Sequence, residues 1–319
     1  MTYRVQQAIV AVAAALGIAC ASTGPTSAAD TWPQLVAAHP LAGQPYGVAV
    51  ASTGEGYVTR LSAGLLARVD VAAGTVDDSA ATTATAPTGV TFLPNGSAAF
   101  VADQGSTGVE RVSAGTGHVD TTIAFTGDLF QAAAGPDGTR VYVTGNTGYV
   151  YAIDPSSNAI VDSVGLGGST NGMAFSPDGQ SMFVDNLTNG TICRIRLSSL
   201  TVDQVDTIVG RTQGIAVSPD GAELWVADQD ADSVYVVSTA TRQVLASIWV
   251  GQPFGLAMRP GTDQVWITTL DGYVLVLDRA ARAAVGVLPV GGVLRRIAFT
   301  VDGSRAVVAD GAGRVLILK

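Results

Sequence analysis

Three aspartates at alternate positions, Asp228, Asp230 and Asp232, form the sharpest local chemical signal in the sequence. Alternate carboxylates suit a hard cation, and the first three ligand positions of a calcium-binding loop have this spacing. The rest of such a loop is missing. Ser233 stands where the turn glycine belongs, and Thr239 stands where a bidentate glutamate would complete the shell. The segment reads either as a solvated acidic loop or as a calcium site on these three side chains. Other reactive groups are scarce. Lys319 is the only lysine, which removes a P-loop lysine, a Schiff-base lysine and a lysine general base. His39 and His118 are the only histidines, too few for a histidine-rich metal site, and Glu55, Glu110 and Glu223 are the only glutamates. Gly-x-Ser-x-Gly, His-Glu-x-x-His and Cys-x-x-Cys are all absent.

A second candidate set comes from spacing. Tyr46, Thr88, Phe130, Asn171, Gln213, Phe254 and Arg295 recur at intervals of 41 or 42 residues, and Arg296 follows the last of them. Gathered at one mouth, the aromatics, amides and arginines would suit a small polar ligand, a sugar or a peptide. The expected ligand-binding residues are thus Tyr46, Phe130, Asn171, Gln213, Phe254, Arg295 and Arg296. The competing reading is that the aromatics only plug a channel.

The elements that would gather them are repeats. Gly172-Met-Ala-Phe-Ser-Pro-Asp-Gly179 matches Gly214-Ile-Ala-Val-Ser-Pro-Asp-Gly221, and weaker copies start at Gly47, Gly89, Gln131, Gly255 and Arg296. Within each period, short runs rich in valine, isoleucine and aromatics alternate with Gly/Asn turns, as in Val141-Tyr-Val-Thr followed by Tyr149-Val-Tyr-Ala-Ile. Four such strands in roughly 40–45 residues make a propeller blade. The prediction is an all-β, seven-bladed β-propeller over residues 30–319. The last period has room for only three strands, so residues 34–42 should supply its outermost one. Gly43-Gln-Pro-Tyr-Gly47 echoes Gly251-Gln-Pro-Phe-Gly255 and sets that register. The second strands should end at Arg60, Asp103, Gly145, Asn186, Asp228, Thr269 and Asp310 on the upper face, where Asp and Asn fold back onto backbone. Asp137, Asp178, Asp220 and Asp302 belong to Pro-Asp-Gly or related turns on the opposite face.

The unit Gly214-Ile-Ala-Val-Ser-Pro-Asp-Gly221 followed by Leu224-Trp-Val-Ala-Asp228, with similar units over nearly all of 43–319, resembles the YVTN-repeat β-propellers, the YncE-like relatives of NHL-type propellers. Tyr-Val-Thr-Asn itself survives in part, as Tyr142-Val-Thr-Gly145 and Phe183-Val-Asp-Asn186. The resemblance implies an exported binding protein or surface antigen. Asn171-Gly-Met-Ala-Phe-Ser-Pro-Asp-Gly179 is also similar to a segment of gluconolactonase/regucalcin propellers, in which a matching Asn helps to bind a divalent metal together with a Glu and an Asp. Only Asn171 matches, so a metal-dependent hydrolase or lactonase would have to use Asp103, Asp228 or Asp310 as substitute carboxylates.

Residues 1–29 read as an export signal, with Arg4 ahead of an apolar run from Ala8 to Ala19. That run is too short to span a bilayer core of about 30 Å. Ser27-Ala-Ala29 offers a signal-peptidase site, whereas Leu16-Gly-Ile-Ala-Cys20 resembles a lipobox that would lipidate Cys20 and leave 20–33 as a tether. Secretion or envelope attachment is expected, with any membrane link made through Cys20. Loss of Arg4 leaves 16 basic against 26 acidic residues, a net charge of −10, so nucleic acid is not an expected partner. Cys193 is the only cysteine beyond the signal and should be a buried small hydrophobe. The sequence thus points to a monomer that binds a protein, peptide or glycan through its upper face. No cofactor is expected; calcium is the one ion the residues could hold.

Overall fold

The computed structural model describes residues 33–78, 84–105, 108–207 and 210–319. The signal segment and Cys20 lie outside the described residues. Seven four-stranded antiparallel sheets surround one axis, and no helix occurs among the described residues. The inner strands are Pro45–Val50, Pro87–Phe92, Leu129–Ala134, Thr170–Phe175, Thr212–Val217, Pro253–Met258 and Leu294–Phe299, in blades 1 to 7. Each next strand in a blade runs back to the upper face and ends where the repeats predict, from Arg60 in blade 1 to Asp310 in blade 7.

Blade 7 is closed by the chain's other end, as the echo of Gly251–Gly255 in Gly43–Gly47 implies. Leu35–Pro40 pairs antiparallel with Arg314–Leu318, placing Ala38 opposite Leu316 and Pro40 opposite Arg314. Gln34 and Lys319 exchange backbone hydrogen bonds of 2.8 and 3.0 Å, and the Leu41 N–H donates to the Gly313 carbonyl. The clasp covers the outer edge of Arg314–Leu318, which would otherwise be an open template for another chain.

Apolar packing is divided among the blade interfaces rather than pooled in one core. Seven buried clusters occur, one for each pair of neighbouring blades. The closing interface between blades 7 and 1, with Val58, Val69, Val307, Val315 and Ile317, is as apolar as the rest. Trp225, Trp266, Tyr57 and Phe100 are fully buried at these interfaces, each contributing about 2–3 kcal/mol of transfer free energy. Cys193 is buried and unpaired, as expected.

The lower turns are structural, as their sequences imply. Asp137, Asp178, Asp220 and Asp302 each accept the backbone N–H two residues on. The glycines after them hold φ of 71, 67, 72 and 67°, a region that a side chain resists.

At the axis the inner strands converge at the register 47, 89, 131, 172, 214, 255 and 296. Five of these positions are glycine, and Gln131 and Arg296 are the exceptions. A Cβ on Gly47 would lie 1.9 Å from the Thr88 carbonyl oxygen, and one on Gly89 would lie 2.6 Å from the Gln131 Cα. Backbone meets backbone there, so no rotamer change can relieve the clash. Gly47→Ala should cost at least about 3 kcal/mol in urea unfolding, because the blades themselves must separate. Gly56→Ala, whose nearest contacts would be 3.4 Å away, should cost clearly less in the same assay.

Candidate functional site at the upper mouth

Each inner strand carries a bulge near its upper end. Pairing with the second strand shifts between Pro45 and Val48, Pro87 and Val90, Leu129 and Gln131, Thr170 and Met173, Thr212 and Gly214, Pro253 and Leu256, and Leu294 and Ile297. A bulge leaves residues unpaired and re-aims their side chains. The seven residues that recur at intervals of 41 or 42 each lie second in an inner strand, inside the bulge.

Six of the predicted ligand-binding residues come together. Phe254 is buried, and its ring meets Tyr46 edge-on with centroids 5.6 Å apart at 86°. The Arg295 guanidinium lies 4.7 Å from the Phe254 centroid and 5.4 Å from that of Tyr46. The Arg296 guanidinium lies 5.2 Å from the Phe254 centroid. Such contacts contribute about 0.5–2 kcal/mol each, more where water is excluded. Arg296 then reaches across to blades 4 and 5, donating to the Gln213 carbonyl at 2.7 Å and to Asn171 Oδ1 at 3.2 Å. Asn171 and Gln213 are themselves joined by a 3.3 Å hydrogen bond between their side chains. The aromatics are therefore neither an open stacking platform nor a simple plug, because guanidinium groups lie against them.

Phe130 is half-buried and makes no ring contact with this group. Thr88 points away from a ligand, donating to the Leu129 carbonyl of the next blade at 2.9 Å. A separate, recurring bridge between blades runs from threonines of the second strands. Thr59 accepts the Gly47 N–H and donates to the Thr88 carbonyl, and Thr144 donates to the Asn171 carbonyl. Thr268 accepts the Gly255 N–H and donates to the Arg295 carbonyl.

Blade 4 has Asp185 at the bridging position. Its Oδ1 accepts the Gly172 N–H at 2.8 Å, but Oδ2 is buried with no hydrogen-bond partner among the described residues. Asp185 makes no onward bond to the next blade, and the Gln213 carbonyl there is served by Arg296 instead. Burial pushes the Asp185 carboxyl up to about 7, against the opposing pull of the Gly172 N–H and the Arg296 charge. Burial likewise lowers the pKa of Arg295, and the neighbouring Arg296 charge acts in the same direction.

Two residues here escaped the sequence reading. Gln131 and Asp185 show only as departures from a repeat column, one replacing an axial glycine and the other a bridging threonine or alanine. Gln131, Arg296 and the axial glycines Gly47, Gly89 and Gly172 line a cavity of about 120 Å³ on the axis.

The structure does not bring the three aspartates of the acidic segment together as a cation site. Asp228 is buried, and its Oδ1 accepts the N–H groups of Arg211, Asp230 and Ala231 at 3.0–3.2 Å. Asp230 is exposed and Asp232 half-buried, and no group of three His, Cys, Asp or Glu side chains placed for a metal occurs among the described residues. Asp103 and Asp310 repeat the capping role, binding the N–H groups of Ala86 and Gly105 and of Val293 and Ala312. Asn186 does the same for Thr188 and Asn189. These strand-end side chains tie down the loops arriving between blades.

No protein-family model and no curated protein matches the sequence. In structure the chain is similar to a chain of Kuenenia stuttgartiensis hydrazine synthase, with a TM-score of 0.78 and 17% identity, covering 92% of this chain and 98% of that one. At that identity the likeness speaks for the propeller fold.

Asp185 should make stability fall as pH rises. Between the ordinary carboxyl value of 3.8 and about 7, the folded protein keeps a proton that the unfolded chain has lost. Urea unfolding at pH 5 and pH 8 should show this decline in the wild type and its loss in Asp185→Thr, with the variant gaining most at pH 8. Asp228→Ala leaves three loop N–H groups without their acceptor and should cost about 1–3 kcal/mol. That cost should be equal with and without calcium; a cost seen only with calcium would make Asp228 a metal ligand.

Proposed function

We propose that this chain is an exported, YVTN-repeat type propeller that works as a non-enzymatic interaction module, engaging a protein, peptide or glycan through its upper mouth. The observation that carries this reading is the gathering of Tyr46, Asn171, Gln213, Phe254, Arg295 and Arg296 from five blades into one group. Propellers commonly serve as interaction scaffolds, and this one holds its mouth on seven mutually packed sheets rather than on long loops. Residues 1–29, if they act as an export signal, would send such a module to the envelope or outside the cell, lipid-anchored if Cys20 is modified, and a monomer suffices for the mouth to be complete.

The hydrolase alternative gains no support from the side-chain geometry. A divalent cation at the mouth would need the Asn171 amide oxygen, which already accepts from the positively charged Arg296. Of the substitute carboxylates, Asp103 and Asp310 are engaged with loop N–H groups, and Asp228 is engaged through Oδ1 while its Oδ2 is buried without a hydrogen-bond partner among the described residues. These residues do not fit a metal-activated water, and no catalytic step is derived through one.

The test is selection of ligands on the wild-type protein from displayed peptides and from a glycan array, followed by competition with mouth variants. Ligands should lose at least about tenfold in affinity on Tyr46→Ala/Arg295→Ala and keep it on Asp302→Ser in a lower turn. Ligands that ignore the mouth substitutions, or a selection that yields none, would contradict the reading.

A further inference from the structure

Two guanidinium groups lie at the mouth, 4.7 and 5.2 Å from the Phe254 ring centroid. None of the ion pairs among the described residues involves either one. Arg296 spends donors on neutral oxygens, the Gln213 carbonyl and the Asn171 amide. Arg295 has ring faces for neighbours and is half-buried, so its charge is poorly solvated. The chain as a whole carries a net charge of −9, which makes two unpaired cations at the point where all blades converge a departure from the rest of the molecule.

The one carboxylate close behind them does not neutralise the pair. Asp185 Oδ2 would lie only 2.8 Å from a Cβ on Gly172, so it stands behind the channel wall. It forms no ion pair with either arginine, and burial keeps its proton on up to about 7. A carboxylate from outside the chain would supply the counter-charge that no ion pair among the described residues provides. A planar guanidinium binds a carboxylate through two parallel N–H donors, which fixes geometry as well as charge. Asn171 is taken up by Arg296 and Gln213, but the Gln213 side-chain NH2 makes no hydrogen bond to the described residues and can donate to a peptide carbonyl. Phe254, the aromatic ring at the centre of the group, is only 3% exposed with both arginines against it, so it offers no face for a sugar ring to stack on.

We infer that the mouth captures the free carboxyl terminus of a peptide, with Arg295 and Arg296 binding the carboxylate and the Gln213 side-chain amide donating to the last peptide carbonyl. The axial cavity of about 120 Å³ beneath Arg296 gives room for a small terminal side chain. This rests on the interaction-module reading and narrows its ligand to one chemistry.

The experiment titrates the purified full chain with N-acetyl-Ala-Ala, its C-terminal amide, glucuronate and inorganic phosphate, at constant ionic strength, followed by calorimetry and thermal melting. The free acid should bind at least about tenfold tighter than the amide and raise the melting temperature by several degrees at saturation. Arg295→Gln and Arg296→Gln should each abolish the difference between acid and amide, while Arg305→Gln, on the lower face, should preserve it. Arg295→Gln keeps the Arg296 hydrogen bonds, so it remains informative if Arg296→Gln unfolds. Equal binding of acid and amide would overturn the inference and leave the module reading standing. Tighter binding of glucuronate or phosphate would also overturn it, assigning the arginines to a sugar acid or a phosphoryl group. Absence of binding by every probe would overturn it too, and the module reading would then stand or fall on its own selection experiment.

Discussion

Everything in this molecule depends on how closely seven inner strands can approach one axis. At the axial register the backbone of one blade lies against the backbone of the next, so closely that a methyl group on Gly47 would overlap the Thr88 carbonyl. Glycine at five of seven such positions lets the ring close. Closure then makes each blade interface a two-sided apolar sandwich, and the clasp of Leu35–Pro40 on Arg314–Leu318 completes the last one. Neither disulfide nor helix contributes among the described residues; packing and ladder hydrogen bonds hold the ring.

The same constraint generates the mouth. Strands this crowded cannot all keep regular pairing to their ends, and each inner strand bulges where it meets the upper face. The bulges turn adjacent residues toward the centre, so that Arg295 and Arg296, neighbours in sequence, both reach Phe254. Where a threonine bridges successive blades the local hydrogen bonding is closed, and nothing is left over for a ligand. Blade 4 breaks the pattern with Asp185, and Arg296 fills the gap from the far side of the ring by taking the Gln213 carbonyl. One substitution in a repeat column thus accounts for an arginine that spans the axis.

The fold was legible because repetition amplifies weak signals. A single Pro-Asp-Gly turn says little, but seven near-equal periods fix the blade count, and the echo of Gly251–Gly255 in Gly43–Gly47 fixed the closing strand. The column of mouth residues was legible for the same reason, and six of its members do assemble. Sequence could not show that Phe130 stays out of the group, because that depends on how each bulge rotates its residue. Asp228 looked like a ligand because alternate carboxylates have the right spacing; its burial under the arriving loop is a tertiary fact with no local signature. Gln131 and Asp185 are visible only to a reader who compares columns across blades, since each is ordinary in its own segment.

The central claim is that Arg296 is locked across the axis while the mouth beside it keeps an unsatisfied positive charge at Arg295. Arginine side-chain ¹⁵N NMR of the ligand-free protein tests this most directly. The account predicts resolved Nη signals for Arg296, its guanidinium rotation slowed by the bonds to Gln213 and Asn171. Arg295 should show a single averaged Nη signal that sharpens and splits when a carboxylate is added. An Arg296 guanidinium rotating as freely as that of exposed Arg196, or an Arg295 already locked without ligand, would contradict the account.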